Sequence, residues 1–253
     1  LAEKGNTPDD WCYIYNFTDR DKPIAVSLPA GQGKIFRNDM TEFVEDMRSL
    51  IPKTFESSDY DQQKGTIIQV VQEKVDSIFR SIEQEALKAG FIVRQAPGRV
   101  ALIPIRDGKQ LSPEEYKALS AEERKIIDEN TYKLEKRLDE IIRGSRALEK
   151  EADKQLKELD RQITRFATEP PIARLKEKYA YSEKILDYLD KVLTDITENN
   201  IIFRLADAPQ AQNPFQLPES DGYPFIKYKV NLFVNNENSK GAPAIIEPFT
   251  NYY

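Results

Sequence analysis

The chain reads as a mainly α protein with a small α/β part: long antiparallel, coiled-coil-like helices carrying a β-hairpin at their tip, inserted between strands of a smaller core. Three observations predict this. Only ten of 253 residues are Gly, while Glu, Lys, Leu, Ile, Arg, Asp and Gln crowd the middle of the chain, a composition of helix formers. Apolar residues step by three and four from Leu134 to Phe166. Both ends instead carry aromatic and β-branched runs broken by proline.

Taken in order, Trp11-Cys12-Tyr13-Ile14-Tyr15-Asn16-Phe17 predicts a buried strand, with Pro8 before it and an Asp/Arg/Lys/Pro turn after. Lys22-Pro23 leads into a second short strand, Ile24 to Leu28, which Pro29 and Gly31 terminate. From Phe36 the period changes: Met40, Phe43, Val44, Met47, Leu50 and Ile51 mark an amphipathic helix that Pro52 is expected to close. A longer helix follows to about Ala89 with a stripe of Tyr60, Ile67, Val71, Val75, Ile78 and Ile82, and Gly90 is its stop. Phe91-Ile92-Val93 and Val100 to Ile105 flank Ala96-Pro97-Gly98, so a β-hairpin is predicted near 91–105, with a further turn at Asp107-Gly108.

Ser112-Pro113-Glu114-Glu115 and Ser120-Ala121-Glu122-Glu123 both fit the capping box, in which hydroxyl and carboxylate satisfy otherwise unpaired N–H groups. The second opens a very long helix with the seam Leu134, Leu138, Ile141, Ser145, Leu148, Ala152, Leu156, Leu159, Ile163 and Phe166. Glu169-Pro170-Pro171 is expected to end it, and Ile172–Tyr179 and Ser182–Thr197 read as two shorter helices. A loop with Pro209, Pro214 and Pro218 precedes a strand over Tyr228–Val234, and Ala244 to Glu247 resumes extended structure. The organisation expected is thus a first core part at 1–51, a helical insertion at 52–198 and returning strands at 199–253, the two ends sharing one sheet.

Composition excludes several chemistries. With no His and the single Cys12, neither a Ser-His-Asp or Cys-His mechanism nor a His/Cys zinc site can be assembled from this chain. One unpaired Cys suits a reducing compartment, so a cytoplasmic setting is expected. The 37 basic residues against 43 acidic ones form no clustered basic stripe, and no run approaches the roughly 18 apolar residues of a membrane span, so neither nucleic acid nor membrane is an expected partner. Ser-x-x-Lys and Gly-x-Ser-x-Gly are absent, the carboxylate pairs are no more than 43 acids make inevitable, and no catalytic residue is nominated.

Ala30-Gly31-Gln32-Gly33-Lys34 invites a phosphate-loop reading, but Leu28 stands where the first Gly of such a loop belongs and Ile35 where the hydroxyl belongs. A turn that launches a helix is the better account. Asn236, Asn238, Gly241 and Glu247 fall on a calcium-loop template, yet Lys240 occupies a ligand position, and a polar turn is expected there. Asn16-Phe17-Thr18 matches the glycosylation sequon by chance. Cofactor and metal ligands are accordingly expected to be none in this chain.

Three segments together resemble the Lon-like bacterial proteases, also called protease La homologues: Thr7-Pro8-Asp9-Asp10-Trp11-Cys12-Tyr13-Ile14-Tyr15-Asn16-Phe17, Leu28-Pro29-Ala30-Gly31-Gln32-Gly33-Lys34, and Val230 to Asn236 continuing through Lys240-Gly241-Ala242-Pro243. The resemblance implies an AAA+-type module with a long helical insertion, residues 1–51 and 199–253 forming a partial AAA+-like core. The phosphate loop and Walker B strand of that family, and its Ser-Lys protease domain, have no counterpart here, so the chain reads as an internal piece, inactive alone towards casein or ATP. ATP with Mg²⁺ is an expectation for the parent protein only.

The resemblance further implies unfolded or damaged cytoplasmic proteins as substrates and other subunits of a homo-oligomeric ring as partners. The stiff arm of helices and hairpin would serve substrate capture or ring assembly. Phe91, Val93, Val100 and Leu102 are the residues singled out for substrate or partner contact, against packing on the helices. A self-contained coiled-coil scaffold or interaction protein is the alternative, for which seam, charge and missing catalytic groups suffice.

Overall fold

In the computed structural model the described residues are 4–96, 99–106, 108–205 and 223–243. They are mainly helical, with two small antiparallel sheets. The chain divides into two compact units, one of residues 1–61 and 160–253 and one of residues 62–159. Residues 160–198, which periodicity assigns to the insertion, belong to the unit that holds both ends of the chain.

The first unit opens with β1 (Asp10–Ile14), paired antiparallel with β2 (Ile24–Leu28) so that Asp10 faces Leu28 and Ile14 faces Ile24. Burial alternates: Asp10, Cys12 and Ile14 point inward, while Trp11 is 46% and Tyr13 37% exposed. The predicted strand is therefore shorter than Trp11–Phe17 and buried on one face only. It stops because the Asn16 side chain turns the backbone, its Oδ1 accepting from the N–H groups of Thr18 at 3.0 Å and Asp19 at 3.3 Å while its Nδ2 donates to Lys22 O at 3.0 Å.

Helix α1 (Gln32–Phe55) starts four residues before Phe36, directly after Gly31, whose φ of 83° is the left-handed conformation glycine adopts without a Cβ penalty. Phe36, Met40, Phe43, Val44, Met47, Ile51 and Phe55 form its buried face, whereas Leu50 is exposed. Pro52 does not close this helix. Its missing N–H deprives the carbonyl one turn back of a donor, but Ile51 and Phe55 are anchored in the core on either side, and the N–H of Glu56 closes the last turn on Pro52 O at 3.1 Å.

Helix α2 (Ser58–Lys88) begins in this unit and continues into the second. There Gly90, with φ of 82°, ends the helical run, and the hairpin follows as β3 (Phe91–Ala96) and β4 (Arg99–Arg106). Its register sets Phe91 opposite Pro104 and Val93 opposite Leu102. A two-residue strand, β5 (Lys109–Gln110), extends the sheet beyond β4. Pro97, Gly98 and Asp107 of the predicted turns lie outside the described residues.

Both capping boxes form. Ser112 starts α3 (Pro113–Ala118) and Ser120 starts α4 (Ala121–Lys178), each Ser Oγ accepting from the glutamate N–H at 3.2 Å and each glutamate carboxylate accepting from the serine N–H. Those bonds hold the carboxyls of Glu115 and Glu123 below their ordinary pKa. The core of this unit is Ile82, Ala86, Phe91, Leu134, Leu138 and Ile141, each such side chain contributing about 1.5–3 kcal/mol when fully buried, Ala less.

The seam of α4 follows the predicted positions through Leu159, then moves. Thr164, Thr168 and Ile172 are buried from there on, and Phe166, predicted to face inward, is 79% exposed. Repeated steps of four rotate the buried face around a helix of 3.6 residues per turn. Nor do Pro170 and Pro171 end the helix, which runs unbroken to Lys178. The backbone groups orphaned by the prolines lie near exposed Phe166, and packing of Thr168, Ile172 and Tyr179 on either side of the pair outweighs a local cost of about 3 kcal/mol per proline.

Back in the first unit, α5 (Glu183–Glu198) and α6 (Ile201–Arg204) follow. Residues 206–222, with Pro209, Pro214 and Pro218, lie outside the described residues, as do 244–253 with the predicted extended stretch Ala244 to Glu247. Tyr223–Tyr228 is a 3₁₀ helix and not strand, because Tyr228 is drawn fully into an aromatic core beside Phe17 and Phe203 and donates its hydroxyl to Asp195 Oδ2 at 2.6 Å. Only then does β6 (Asn231–Val234) pair with β1, on the side away from β2, giving the order β2-β1-β6. The two ends of the chain do share one sheet.

Candidate functional site

Gly31-Gln32-Gly33-Lys34 opens α1 with N–H groups that no preceding helical turn can accept and with the positive end of the helix dipole, which is what an anion seeks; Gln32 N–H is taken by Pro29 O at 2.9 Å. The fold supplies that anion from within. Asp10 projects inward from β1, fully buried, and its Oδ2 accepts the N–H of Gly33 at 2.9 Å while Oδ1 accepts the N–H of Asn236 at 2.6 Å. A Cβ on Gly33 would lie 2.8 Å from Leu232 Cδ1 and 2.9 Å from Asp10 Cβ, so glycine is required for this approach.

Lys34 completes the arrangement by pairing with Glu237 at 2.9 Å, a hydrogen bond that lowers the Glu237 carboxyl below its ordinary pKa. The lysine and the helix N-terminus are thus both engaged by carboxylates of the chain itself. Cys12 is fully buried beside them, its Sγ 3.9 Å from Gly33 O, and desolvation, followed by the charge of Asp10, pushes its thiol up to about 11.

The four hairpin residues nominated for contact all lie against the helical core of the second unit. Phe91 is 1% exposed and part of that core, and Val93, Val100 and Leu102 are partly buried against it. They share one face of the hairpin. The alternating positions Ile92, Ala101 and Ile103 occupy the other.

The acid pairs remain dispersed, and among the described residues no group of three or more carboxylates or thiolates is placed to hold a metal ion. Asn236, from the calcium-loop template, donates Nδ2 to Asp9 O at 2.8 Å, and its Oδ1 accepts from Ser239 Oγ at 3.2 Å. Glu247 lies outside the described residues. No described helix is long and apolar enough to cross a membrane.

Two polar clusters escape sequence reasoning. Tyr60 O–H and Arg204 Nη1 each donate to Asp160 at 2.8 Å, and Arg204 lies 4.1 Å over the Phe55 ring. Asp195 accepts from both Tyr228 at 2.6 Å and Lys227 at 2.5 Å. Neither has a local spacing signature, because the partners come from well-separated elements. In the sequence Asp10 is one of the adjacent acids Asp9-Asp10, within the first segment that resembles the Lon-like proteases, with no local sign of its partners.

A family model described as the Lon-like LonC helical domain matches residues 10–43, the stretch of β1, β2 and the first half of α1 that contains the Asp10–Gly33 contact. Over that stretch the chain is similar to the Lon-like LonC helical domain, which supports a relationship to Lon-like proteases. No curated protein matches the chain. Neither the match nor the antiparallel sheet displays the AAA+-type core that the resemblance implies.

Proposed function

We propose that the chain is a helical, non-catalytic module of a Lon-like serine protease that handles unfolded or damaged proteins, its helices and hairpin serving substrate capture. The observation that carries this reading is the match of residues 10–43 to the Lon-like LonC helical domain. Two features support it: the helical architecture, and the Gly33 N–H and Lys34 ammonium at the start of α1, which the chain's own carboxylates engage.

On this reading peptide-bond hydrolysis, any use of ATP and Mg²⁺, assembly into a ring and the cytoplasmic setting belong to the whole protease, with an AAA+-type core as its finer assignment. The test is fluorescence anisotropy with labelled, permanently unfolded casein, alongside assays of casein cleavage and ATP turnover. Capture of casein without cleavage or ATP hydrolysis is expected. Turnover abolished by a point mutation within the chain, or absence of casein binding, overturns the proposal.

A further inference from the structure

We infer that the outer edge of β3 binds an extended, acidic polypeptide segment as an added strand. This rests on the proposed role in substrate capture and names the substrate class. The sheet order is β3-β4-β5, so β3 pairs on one side only. Ile105 N–H donates to Gly90 O at 2.8 Å, which fixes the alternation of the antiparallel ladder: Ile92 and Arg94 exchange hydrogen bonds with β4, while Phe91, Val93 and Gln95 direct N–H and C=O away from it. Pro104 confirms the phase, since opposite Phe91 it needs no inward N–H, and its carbonyl turns the other way to accept Leu111 N–H at 2.9 Å. Among the described residues no hydrogen bond engages the outward groups of Phe91 or Val93.

An edge of that kind recognises main chain, and charge selects which main chain. Over 91–110 the sequence carries Arg94, Arg99, Arg106 and Lys109 against Asp107 alone, in a chain whose acids outnumber its bases 43 to 37; Arg106 pairs with Glu123 at 3.5 Å and, with Lys109, lies on the β4–β5 side, so Arg94 is the charge placed on the β3 edge strand. Arg94 is exposed on the edge strand itself, on the face that carries Ile92 and Ile103. An incoming strand that alternates acidic and apolar residues matches both the charge and the pleat.

The probe is a fluorescein-labelled peptide of alternating Glu and Val, with a Lys/Val peptide as comparison, titrated with the full chain. The Glu/Val peptide is expected to bind, less tightly as salt is raised, and the Lys/Val peptide not to bind. Val93→Pro removes an outward N–H and no ladder bond, and is expected to weaken binding about tenfold. Arg94→Glu, at an exposed position that cannot unfold the core, is expected to weaken it by about the same factor through charge reversal.

Equal binding of both peptides, or undiminished binding by Arg94→Glu or by a Val93→Pro chain with native circular dichroism, overturns the inference. So does a wild-type dimer in sedimentation that Val93→Pro dissociates, which assigns the edge to a second copy. If both variants still capture casein as wild type does, the edge assignment falls and the substrate-capture reading stands. If the Glu/Val peptide binds and casein does not, the reverse holds.

Discussion

The Asp10 carboxylate and the Gly33 N–H meet at 2.9 Å inside the first unit, at a position with no solvent access. The second oxygen of the same side chain takes the N–H of Asn236. One residue of β1 thereby ties the start of α1 to the turn after β6.

Asp10→Ala would leave the buried Gly33 N–H and the half-buried Asn236 N–H without this acceptor and remove the negative charge facing the helix dipole. A loss of about 3 kcal/mol or more is expected in urea unfolding. Asp10→Asn keeps one acceptor oxygen and should cost less. Equal stability of Asp10→Ala and wild type would show that the contact contributes nothing.

Gly33→Ala tests the same joint from the other side. The new methyl would collide with Asp10 Cβ at 2.9 Å and Leu232 Cδ1 at 2.8 Å. Leu232 can shift its flexible end, but Asp10 is held by two hydrogen bonds, so a loss of about 2 kcal/mol is expected. Because the two substitutions break one contact, Gly33→Ala made in an Asp10→Ala background should cost clearly less than it does alone.

Much of this fold is legible in the sequence where a pattern is local. The bounds of β2, the two capping boxes and the hairpin follow from turn residues and periodicity within a dozen positions. The failures arise where long-range packing overrides local rules. Pro52, Pro170 and Pro171 are helix breakers by sequence, yet each lies within a helix pinned in the core on either side. Phe166 follows the heptad step and is exposed because the buried face of α4 turns towards Thr164 and Thr168. The Asp10 contact at the start of α1 is not legible locally, since its partners Gly33 and Asn236 are brought to it only by the β2-β1-β6 sheet.

Cys12 should be chemically silent in the folded protein. Its side chain is fully buried and its thiol is raised from 9.0 to about 11, so the reactive thiolate is scarce near neutral pH. Labelling by an aromatic disulfide reagent is expected to proceed at the rate of unfolding and to become immediate in concentrated urea. Complete labelling within the mixing time under native conditions would contradict the packing described for β1.

Three buried phenols make the fold sensitive to alkali. Burial raises the Tyr188, Tyr228 and Tyr179 hydroxyls, the last two helped by hydrogen bonds to Asp195 and Asp39. A folded-state pKa above the unfolded value of 10.0 means that the native state holds more protons once the pH passes 10. The stabilisation is therefore complete below pH 10 and is lost as the pH rises beyond it, with Cys12 adding the same sign from 9.0 upward. The urea midpoint should fall steeply above pH 10, and less steeply in Tyr228→Phe, which has one fewer buried group to ionise.

Arg204 offers the last test, because its guanidinium makes two contacts that a lysine can reproduce only in part. It donates to Asp160 Oδ2 at 2.8 Å and lies 4.1 Å over Phe55, whose ring also packs edge-on against Tyr60. Arg204→Ala should lower stability by about 2 kcal/mol, since Asp160 then retains the Tyr60 hydroxyl but loses its cation. Arg204→Lys keeps the charge and forfeits the planar stack, so less than half of the loss should be recovered. Full recovery by lysine in thermal unfolding would reduce the cluster to a simple ion pair, and no loss in Arg204→Ala would show that Tyr60 alone satisfies Asp160.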